Sequence, residues 1–277
     1  MRTMRFPSGE PVPVLGMGTW QMASDPARRT EEILALREGL DLGMTLIDTA
    51  EMYGSGRAET LVGEAIAGRR EEVFLVTKVL PSHARRQDTV TACEASLRRL
   101  GTDCIDLYLL HWPAPTPVAE TVEAFFDLTG AGKIRAWGVS NFDVDDLSEV
   151  LGLPGGEAVA TDQVLYNLEH RSIDASLRTF CQDRSIPIMA YTPLGQGRLL
   201  THPVVRSVAL RHGATPAQVA LAWVLRHQRM IAIPKAGSAG HVRENHGALD
   251  LALTAEDLAD LDRAFPPPTG PEPLDTA

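Results

Sequence analysis

Stretches rich in aliphatic and β-branched residues alternate with amphipathic stretches along nearly the whole chain, and this alternation restricts the fold more than any other feature. Eight of the apolar stretches predict strands, at residues 12–15, 45–48, 73–78, 105–110, 134–139, 160–165, 188–191 and 230–234. Helical spacing of apolar residues predicts helices at 29–42, 58–67, 89–100, 118–129, 144–151, 173–183, 216–227, 241–248 and 254–263. Strands that are each followed by a helix form a parallel sheet, because the return connection needs a helix. Eight such units predict an α/β fold, a (β/α)8 TIM barrel.

No linker rich in proline, glycine or serine divides the chain. A length of 277 residues would also allow two domains, but a single barrel of about 250 residues fits the repeated units. Apolar residues make up 44% and charged residues 22%, which is typical of globular proteins. We therefore expect one domain over residues 1–277, ending in a proline-rich C-terminal tail at 266–277.

Composition also excludes several classes of partner. The 26 basic and 36 acidic residues give a net charge of −10, which disfavours binding to nucleic acid. No apolar run approaches the roughly 18 residues that cross a bilayer, and no signal peptide is recognisable, so no membrane is expected as a partner. Three widely spaced cysteines predict neither disulfides nor a zinc site, and the eight histidines show no metal-binding spacing. These features predict a cytoplasmic protein without a metal.

Four ionisable side chains fall where predicted strands end. Asp48 ends the second strand, Lys78 ends the third and His111 follows the fourth, while Tyr53 lies in the loop after Asp48. Each alone has an ordinary structural explanation, as a helix cap, a packed ring, a rim lysine or a hydrogen-bonded histidine. Because the catalytic groups of a barrel gather at the carboxyl ends of its strands, we expect all four at one mouth.

Together these side chains could protonate a carbonyl oxygen. A buried lysine needs a partner, and Asp48 on the neighbouring strand is the obvious one. The ammonium of Lys78 would lower the pKa of Tyr53, and a neutral His111 would donate a hydrogen bond to the oxygen. Such general acid catalysis contributes roughly 10²–10⁴-fold, but none of the four groups supplies a hydride. The hypothesis therefore requires a redox cofactor.

A glycine pattern after the first predicted strand, Gly16-x-Gly18-x-x-Gln21, offers a Rossmann-type alternative. The third position of that fingerprint is glutamine here, and no helix begins there with its N-terminus towards a phosphate. The pattern therefore does not predict a Rossmann domain.

Several longer segments follow one another at barrel spacing: 16–20 (GMGTW), 47–54 (IDTAEMYG), 76–78 (VTK), 96–100 (SLRRL), 106–113 (DLYLLHWP), 132–142 (GKIRAWGVSNF), 190–195 (AYTPLG) and 233–235 (IPK). In these segments the chain resembles the aldo-keto reductases, over about residues 16–251. The resemblance implies a (β/α)8 barrel that binds NADPH without a Rossmann domain and reduces an aldehyde or ketone by hydride transfer. It also implies a catalytic tetrad of Asp48, Tyr53, Lys78 and His111, with Tyr53 as the acid.

The resemblance assigns the cofactor contacts to strand ends and the loops that follow them. Ser140, Asn141 and Gln163 would hold the carboxamide, and Tyr191 would stack on the nicotinamide. Gln163 ends its strand only if that strand stops before residue 165. The other implied contacts, along the pyrophosphate and around the ring, are Gly18, Thr19, Trp20, Asp48, Thr192, Pro193, Leu194, Gly195, Gln196 and Ser238.

The segment after the eighth strand would hold the adenosine end of the cofactor. Lys235 matches the family's lysine at the 2′-phosphate, and Glu244 and Asn245 match the residues at the adenine. His241 stands where the family has an arginine, and Arg243 is the expected substitute. Arginine fits a phosphate better than histidine does. NADPH is therefore the expected cofactor, with NADH as the alternative.

The loops around the expected pocket are short. Trp20, Met52, Tyr53, His111 and Trp112 would contact the substrate, and few residues separate Trp112 from the next helix. In this the chain is similar to short-loop bacterial members that act on methylglyoxal, small aldehydes and keto sugars of the 2,5-diketogluconate type. We expect a monomer that acts on a small carbonyl substrate. The alternative is an NADPH-binding redox sensor or scaffold without significant turnover.

Overall fold

The computed structural model describes residues 1–6, 9–270 and 272–276. Within them, eight parallel strands form one sheet in which each strand pairs with the next along the chain. These strands are β3 (Met17–Gly18), β4 (Leu46–Asp48), β5 (Phe74–Val79), β6 (Ile105–Leu110), β7 (Ile134–Ser140), β8 (Asp162–Leu165), β9 (Ile188–Tyr191) and β10 (Met230–Ala232). Parallel bridges from Leu15 to Ala232 and from Gly18 to Lys235 join the first of them to the last. The sheet closes on itself, and the predicted (β/α)8 barrel is confirmed.

Helices surround the sheet. They are α1 (Arg29–Asp41), α2 (Arg57–Ala65), α3 (Arg86–Leu100), α4 (Val118–Gly130), α5 (Val144–Leu151), α6 (Leu177–Asp183), α7 (Pro203–His212), α8 (Pro216–Val224), α9 (Ala239–His246) and α10 (Ala255–Ala264). Local signals in the sequence define several of their ends. Thr215 and Gln218 form a capping box at the start of α8, and Gly101 ends α3 with a φ of 64°.

The sequence predicted residues 12–15 as the first strand of the barrel, and this pairing is wrong. Pro11–Pro13 form strand β2, which pairs antiparallel with β1 (Thr3–Arg5) in a separate two-stranded sheet. Phe6 and Val12 pack with the side chains inside the barrel, and Phe6 meets the ring of Phe74 edge to face, 5.4 Å between centroids. Because Phe74 begins β5, the hairpin closes the end of the barrel where the strands start.

Helix α7 lies in a region where the sequence predicted no element. It buries Val205, Val208 and Ala209, which have helical spacing. The cap at its start is the side chain of His202, which accepts from the backbone N–H of Val204, and histidine is not a preferred cap. The missing start signal explains the omission. The remaining predicted elements are present, most of them with shifted ends.

Apolar side chains fill the barrel at the hairpin end and the layer between sheet and helices. Leu46, Val76 and Leu107 are buried inside the barrel, while Ile47 and Tyr108 pack outwards against the helices. This follows from the alternation of side chains along a strand. Polar side chains take the inward positions at the carboxyl end of the barrel, where the site lies.

The predicted tail at 266–277 includes residues 271 and 277, which lie outside the described residues. Just before the tail, the guanidinium of Arg171 donates to the carbonyl of Phe265 and to Asp262, both at 2.7 Å. The backbone N–H of Asp275 donates to the hydroxyl of Ser172 at 3.0 Å. In the described part of the chain, no helix is both long and apolar enough to cross a membrane.

Candidate active site

Four polar side chains meet at the carboxyl ends of β4, β5 and β6. Asp48 is the last residue of β4, Lys78 is the second-last residue of β5, and His111 directly follows β6. Tyr53 lies in the turn between β4 and α2. Because the three strands are parallel neighbours, their ends share one mouth of the barrel, and the convergence expected from the sequence is found.

The ammonium of Lys78 is fully buried and is surrounded by oxygen atoms. It donates to the carboxylate of Asp48 and to the carbonyl of Thr49, both at 2.8 Å, and lies 3.4 Å from the phenol oxygen of Tyr53. Burial lowers the pKa of Lys78, and the negative charge of Asp48 opposes that shift. A charge can occupy this depth because it is paired and hydrogen-bonded.

The other carboxylate oxygen of Asp48 is held from across the barrel. The side-chain amide of Gln163 donates to it at 2.8 Å. Strand β8 continues to Leu165, as predicted, so Gln163 does not end its strand. Gln163 reaches Asp48 from within its strand because its side chain points into the barrel. Asp48 is thus fixed by two side chains from different strands.

His111 is a neutral imidazole, as expected from the sequence. Burial and the nearby Lys78 ammonium lower the pKa of His111 to about 2. Its Nδ1 is buried and has no hydrogen-bond partner among the described residues. A buried N–H without an acceptor is less well tolerated than a buried lone pair, so the ring proton belongs on Nε2. The ring stacks on Trp112 with 4.0 Å between centroids and can donate from Nε2.

The pKa of Tyr53 moves in the direction opposite to the one expected from the sequence. Burial, and then the carboxylate of Asp48, raise the pKa of Tyr53 well above its ordinary value of 10.0. The Lys78 ammonium lies closer to the carboxylate (2.8 Å) than to the phenol (3.4 Å), so its charge is largely neutralised by Asp48. The phenol therefore keeps its proton at neutral pH and can give it to a base stronger than phenolate.

A cavity of about 480 Å³ opens beside these groups, within the range of about 300–1,000 Å³ that is common for ligand pockets. Trp20 and Met52 form its exposed rim, with 41% and 39% of their surface accessible. The predicted site residues that line the cavity are Gly18, Trp20, Asp48, Met52, Tyr53, His111, Trp112, Asn141, Gln163, Tyr191, Thr192, Pro193, Leu194, Gln196, Lys235, His241, Glu244 and Asn245. The cavity therefore extends from the polar cluster to the segment that follows β10.

Hydrogen bonds orient the inner wall of the cavity. The hydroxyl of Tyr191 donates to the side-chain oxygen of Asn141 at 2.8 Å. The amide of Asn141 donates to the carbonyl of His111 at 3.0 Å and to the hydroxyl of Ser140 at 3.2 Å. Ser140 in turn donates to the backbone carbonyl of Gln163 at 2.7 Å. Ser140 thus supports Asn141 from behind and does not itself line the cavity.

Three further predicted cofactor contacts lie outside the cavity lining. The hydroxyl of Thr19 is fully buried and donates to the carbonyl of Asp48 at 2.9 Å. Gly195 is packed against the side chains of Leu199 and Glu169. The hydroxyl of Ser238 caps α9. These residues shape the loops around the cavity, and their local hydrogen bonds and packing explain why they do not face it.

Arg243, the expected substitute for the missing arginine, points away from the cavity. Its guanidinium pairs with Glu38 of α1 at 2.8 Å. It does not line the cavity, whereas His241, Glu244 and Asn245 on the same helix do. Two residues along a helix correspond to a rotation of about 200°, so His241 and Arg243 occupy nearly opposite faces of α9.

Comparison with known families agrees with this geometry. A family model described as the aldo/keto reductase family matches residues 14–265. The chain belongs to the aldo/keto reductase family. The resemblance inferred from the sequence is confirmed, and the protein is an oxidoreductase.

Relatives of this aldo/keto reductase cover its whole length. Methylglyoxal reductase YeaE of Escherichia coli (strain K12) is 50% identical over 99% of this chain and 98% of its own length. The crystal structure of an aldo/keto reductase from Klebsiella pneumoniae in complex with NADP and acetate is 50% identical, with a TM-score of 0.97 and 99% of both chains covered. A K. pneumoniae aldo-keto reductase in complex with NADPH is 49% identical, with a TM-score of 0.97, and covers 100% of this chain and 99% of its own.

Some residues of the cavity wall in this aldo/keto reductase were not predicted. They are Gln21, Gly197, Leu200, Ala217, Ile233 and Pro234. Leu200 lies in the 3₁₀ segment Gly195–Thr201, for which no element was predicted. Ala217 lies in the first turn of α8, whose start was predicted but whose orientation towards the cavity had no local signal.

Proposed function

We propose that the protein reduces small aldehydes and ketones to alcohols with NADPH, and that Tyr53 supplies the proton. The observation that carries the proposal is the buried contact of Lys78 with Asp48 and Tyr53 beside a cavity of ligand size. The protein from E. coli that shares 50% of its residues is a methylglyoxal reductase, and related structures hold NADP or NADPH. Methylglyoxal is therefore the first substrate to test.

The residues present fit a dinucleotide. The cavity is lined by Tyr53 and His111 in one part and by Lys235, Glu244 and Asn245 in another, so a ligand spanning both must be extended. The structure gives Lys235 no ion-pair partner among the described residues, which leaves its charge for an anionic ligand. When bound, the nicotinamide supplies the hydride. Asn141, Gln163 and Tyr191 would contact the nicotinamide ring. Leu194 and Gln196 would contact the part of the cofactor that lies between its two ends.

Each residue of the polar cluster then has a distinct part. The Nε2–H of His111 would orient the substrate carbonyl by donating to its oxygen. The phenol of Tyr53 would release its proton only as that oxygen becomes an alkoxide, a far stronger base than phenolate. Lys78 would stabilise the phenolate left behind, since it already lies 3.4 Å from the phenol oxygen. Asp48 would keep Lys78 charged and in place.

The walls of the cavity favour a small substrate. Trp112 lies against His111, and Trp20 and Met52 stand at the rim. We also propose a single-domain monomer that works in the cytoplasm. In support, one chain lines the whole cavity, and Cys93, Cys104 and Cys181 are free thiols, which suits a reducing compartment. Size-exclusion chromatography with light scattering tests the oligomeric state.

The test compares Tyr53→Phe with the wild type in NADPH oxidation driven by methylglyoxal. We expect kcat to fall by roughly 10²–10⁴-fold and the dissociation constant for NADP+ to stay within about twofold. Tyr108→Phe is the matched control, because the Tyr108 hydroxyl is buried with no hydrogen-bond partner among the described residues and faces away from the cavity. Equal turnover by wild type and Tyr53→Phe would refute the assigned acid. NADPH binding without turnover of any carbonyl would instead support a sensor.

A further inference from the structure

A second cation lies beside Lys235, and it comes from a distant part of the chain. A methyl group built on Gly237 would lie 2.9 Å from Nη2 of Arg28 and 3.1 Å from Nζ of Lys235. Because both nitrogens lie so close to one point, they are at most about 6 Å apart. Arg28 precedes α1 and lies 207 positions before Lys235 in the sequence, yet the two side chains are neighbours in the fold.

Local structure holds Arg28 in this position. It is the last residue of the 3₁₀ turn Pro26–Arg28, which has proline in its first turn. The side chain of Asp25 accepts from the backbone N–H of Ala27 at 2.9 Å and caps that turn. The turn ends directly at the start of α1, so a short stiff connection places Arg28 next to the loop after β10.

The guanidinium of Arg28 has spare hydrogen-bonding capacity. Its Nη2 donates to the carbonyl of Gly237 at 3.4 Å, and its Nε lies 3.5 Å from the carboxylate of Glu31. Both distances are at the long end for hydrogen bonds, and Nη1 makes no hydrogen bond with the described residues. The Arg28 and Glu31 side chains are about half exposed, at 46% and 51%, so this pair adds little stability and can rearrange.

Two adjacent cations raise the local positive potential and attract an anion. The chain as a whole is acidic, with a net charge of −10, so this local excess of positive charge is not a general property of its surface. The only carboxylate found within ion-pair distance of the two cations, among the described residues, is that of Glu31. A planar guanidinium beside an ammonium suits a phosphate group, because arginine can bind two of its oxygens at once.

We propose that Arg28 binds the 2′-phosphate of NADPH together with Lys235, and that it takes the place of the arginine which α9 lacks. The inference rests on the proposed function, because Lys235, which Arg28 adjoins, lines the adenosine end of the same cavity; Arg28 itself lies just outside that lining. His241 lines that cavity but cannot bind two phosphate oxygens, and Arg243 is held by Glu38. Preference for NADPH over NADH would therefore depend on the turn before α1 and not on α9.

Calorimetric titration tests the inference without turnover. The probes are NADP+, NAD+, adenosine 2′,5′-bisphosphate and AMP, and the variants are Arg28→Ala, Arg29→Ala and Arg243→Ala. Arg28→Ala should weaken NADP+ and adenosine 2′,5′-bisphosphate by about tenfold to a hundredfold, the range for a hydrogen bond to a charged group, and leave NAD+ and AMP within about twofold. Arg28→Lys should fall between wild type and Arg28→Ala, because it keeps the charge but not the two-pronged geometry.

Arg29→Ala is the matched control. It removes the same charge at the next residue, whose guanidinium pairs with Glu64 at 2.6 Å, away from Gly237. Its affinity for all four probes should equal that of the wild type. Unchanged NADP+ affinity in Arg28→Ala, an equal loss for NAD+, or a selective loss in Arg243→Ala in place of Arg28→Ala would each overturn the inference. A wild type that binds neither dinucleotide would instead refute the proposed function.

Discussion

Replacing Asp48 by asparagine removes the negative partner of a fully buried ammonium. The pair is 2.8 Å apart, with Lys78 fully buried and Asp48 only 2% exposed. Removing one partner of a buried ion pair costs about 3–5 kcal/mol of unfolding free energy, because the other charge is left without compensation. The variant can limit this cost by releasing the proton of Lys78.

Because Lys78 can release its proton, the loss of unfolding free energy in Asp48→Asn has an upper limit that depends on pH. The ordinary pKa of lysine is 10.5, so neutralising Lys78 at pH 7 costs about 5 kcal/mol, at about 1.4 kcal/mol per pH unit. At pH 9 the same step costs only about 2 kcal/mol. Once neutralisation costs less than the unpaired charge, the folded variant releases this proton while the unfolded variant still holds it, so the stability of the variant rises with pH relative to the wild type. The loss should shrink from about 3–5 kcal/mol at pH 7 to no more than about 2 kcal/mol at pH 9.

Urea unfolding of Asp48→Asn and wild type at pH 7, 8 and 9 measures this difference. In a Lys78→Met background the same substitution should cost little and show no pH dependence, because no buried ammonium remains. Asp127→Asn is a control for the substitution itself, since it removes an exposed partner of Arg86. A loss in Asp48→Asn that is below about 1 kcal/mol at pH 7, or that does not change between pH 7 and 9, would refute the account of the buried pair.

Three further predictions follow from buried contacts. With the pKa of His111 lowered to about 2, the rate of carbonyl reduction should show no inflection near pH 6.5 from this residue, and a pH–rate profile that His111→Asn alters there would contradict its neutrality. Gly18→Ala would place a methyl group 2.7 Å from the carbonyl oxygen of Ile233, so thermal unfolding should show a loss of about 1–3 kcal/mol in unfolding free energy. An unchanged melting temperature would contradict this prediction. Arg171→Ala should cost about 1–3 kcal/mol and speed proteolysis after Phe265, whose carbonyl it binds, and equal cleavage rates would count against that anchor.

The repeating units of the barrel could be predicted because each depends on local signals. The strand Ile105–Leu110 and the helix Val144–Leu151 have the predicted bounds, and both are continuous apolar or amphipathic runs with clear ends. The first strand could not be placed in the same way. An apolar run such as 12–15 has no feature that distinguishes pairing with a hairpin partner from pairing within a barrel.

The sequence predicted the position of those site residues that lie at strand ends. It did not predict the direction of side chains that depends on how helices and loops pack. Asp48, Lys78 and His111 meet because the sheet is parallel, which the sequence already indicated. The face of α9 that Arg243 occupies, and the approach of Arg28 to Gly237, depend on how a helix and a loop pack in three dimensions. The raised pKa of Tyr53 depends on the balance of burial and two opposite charges within a few ångströms, which no spacing in the sequence reveals.

The hairpin of β1 and β2 covers the end of the barrel opposite the cavity. A support or fusion partner joined to the protein at that hairpin would leave the mouth turned towards the solution. Enzyme immobilised in this orientation should keep the substrate access of the free protein, whereas attachment through the rim near Trp20 should obstruct it.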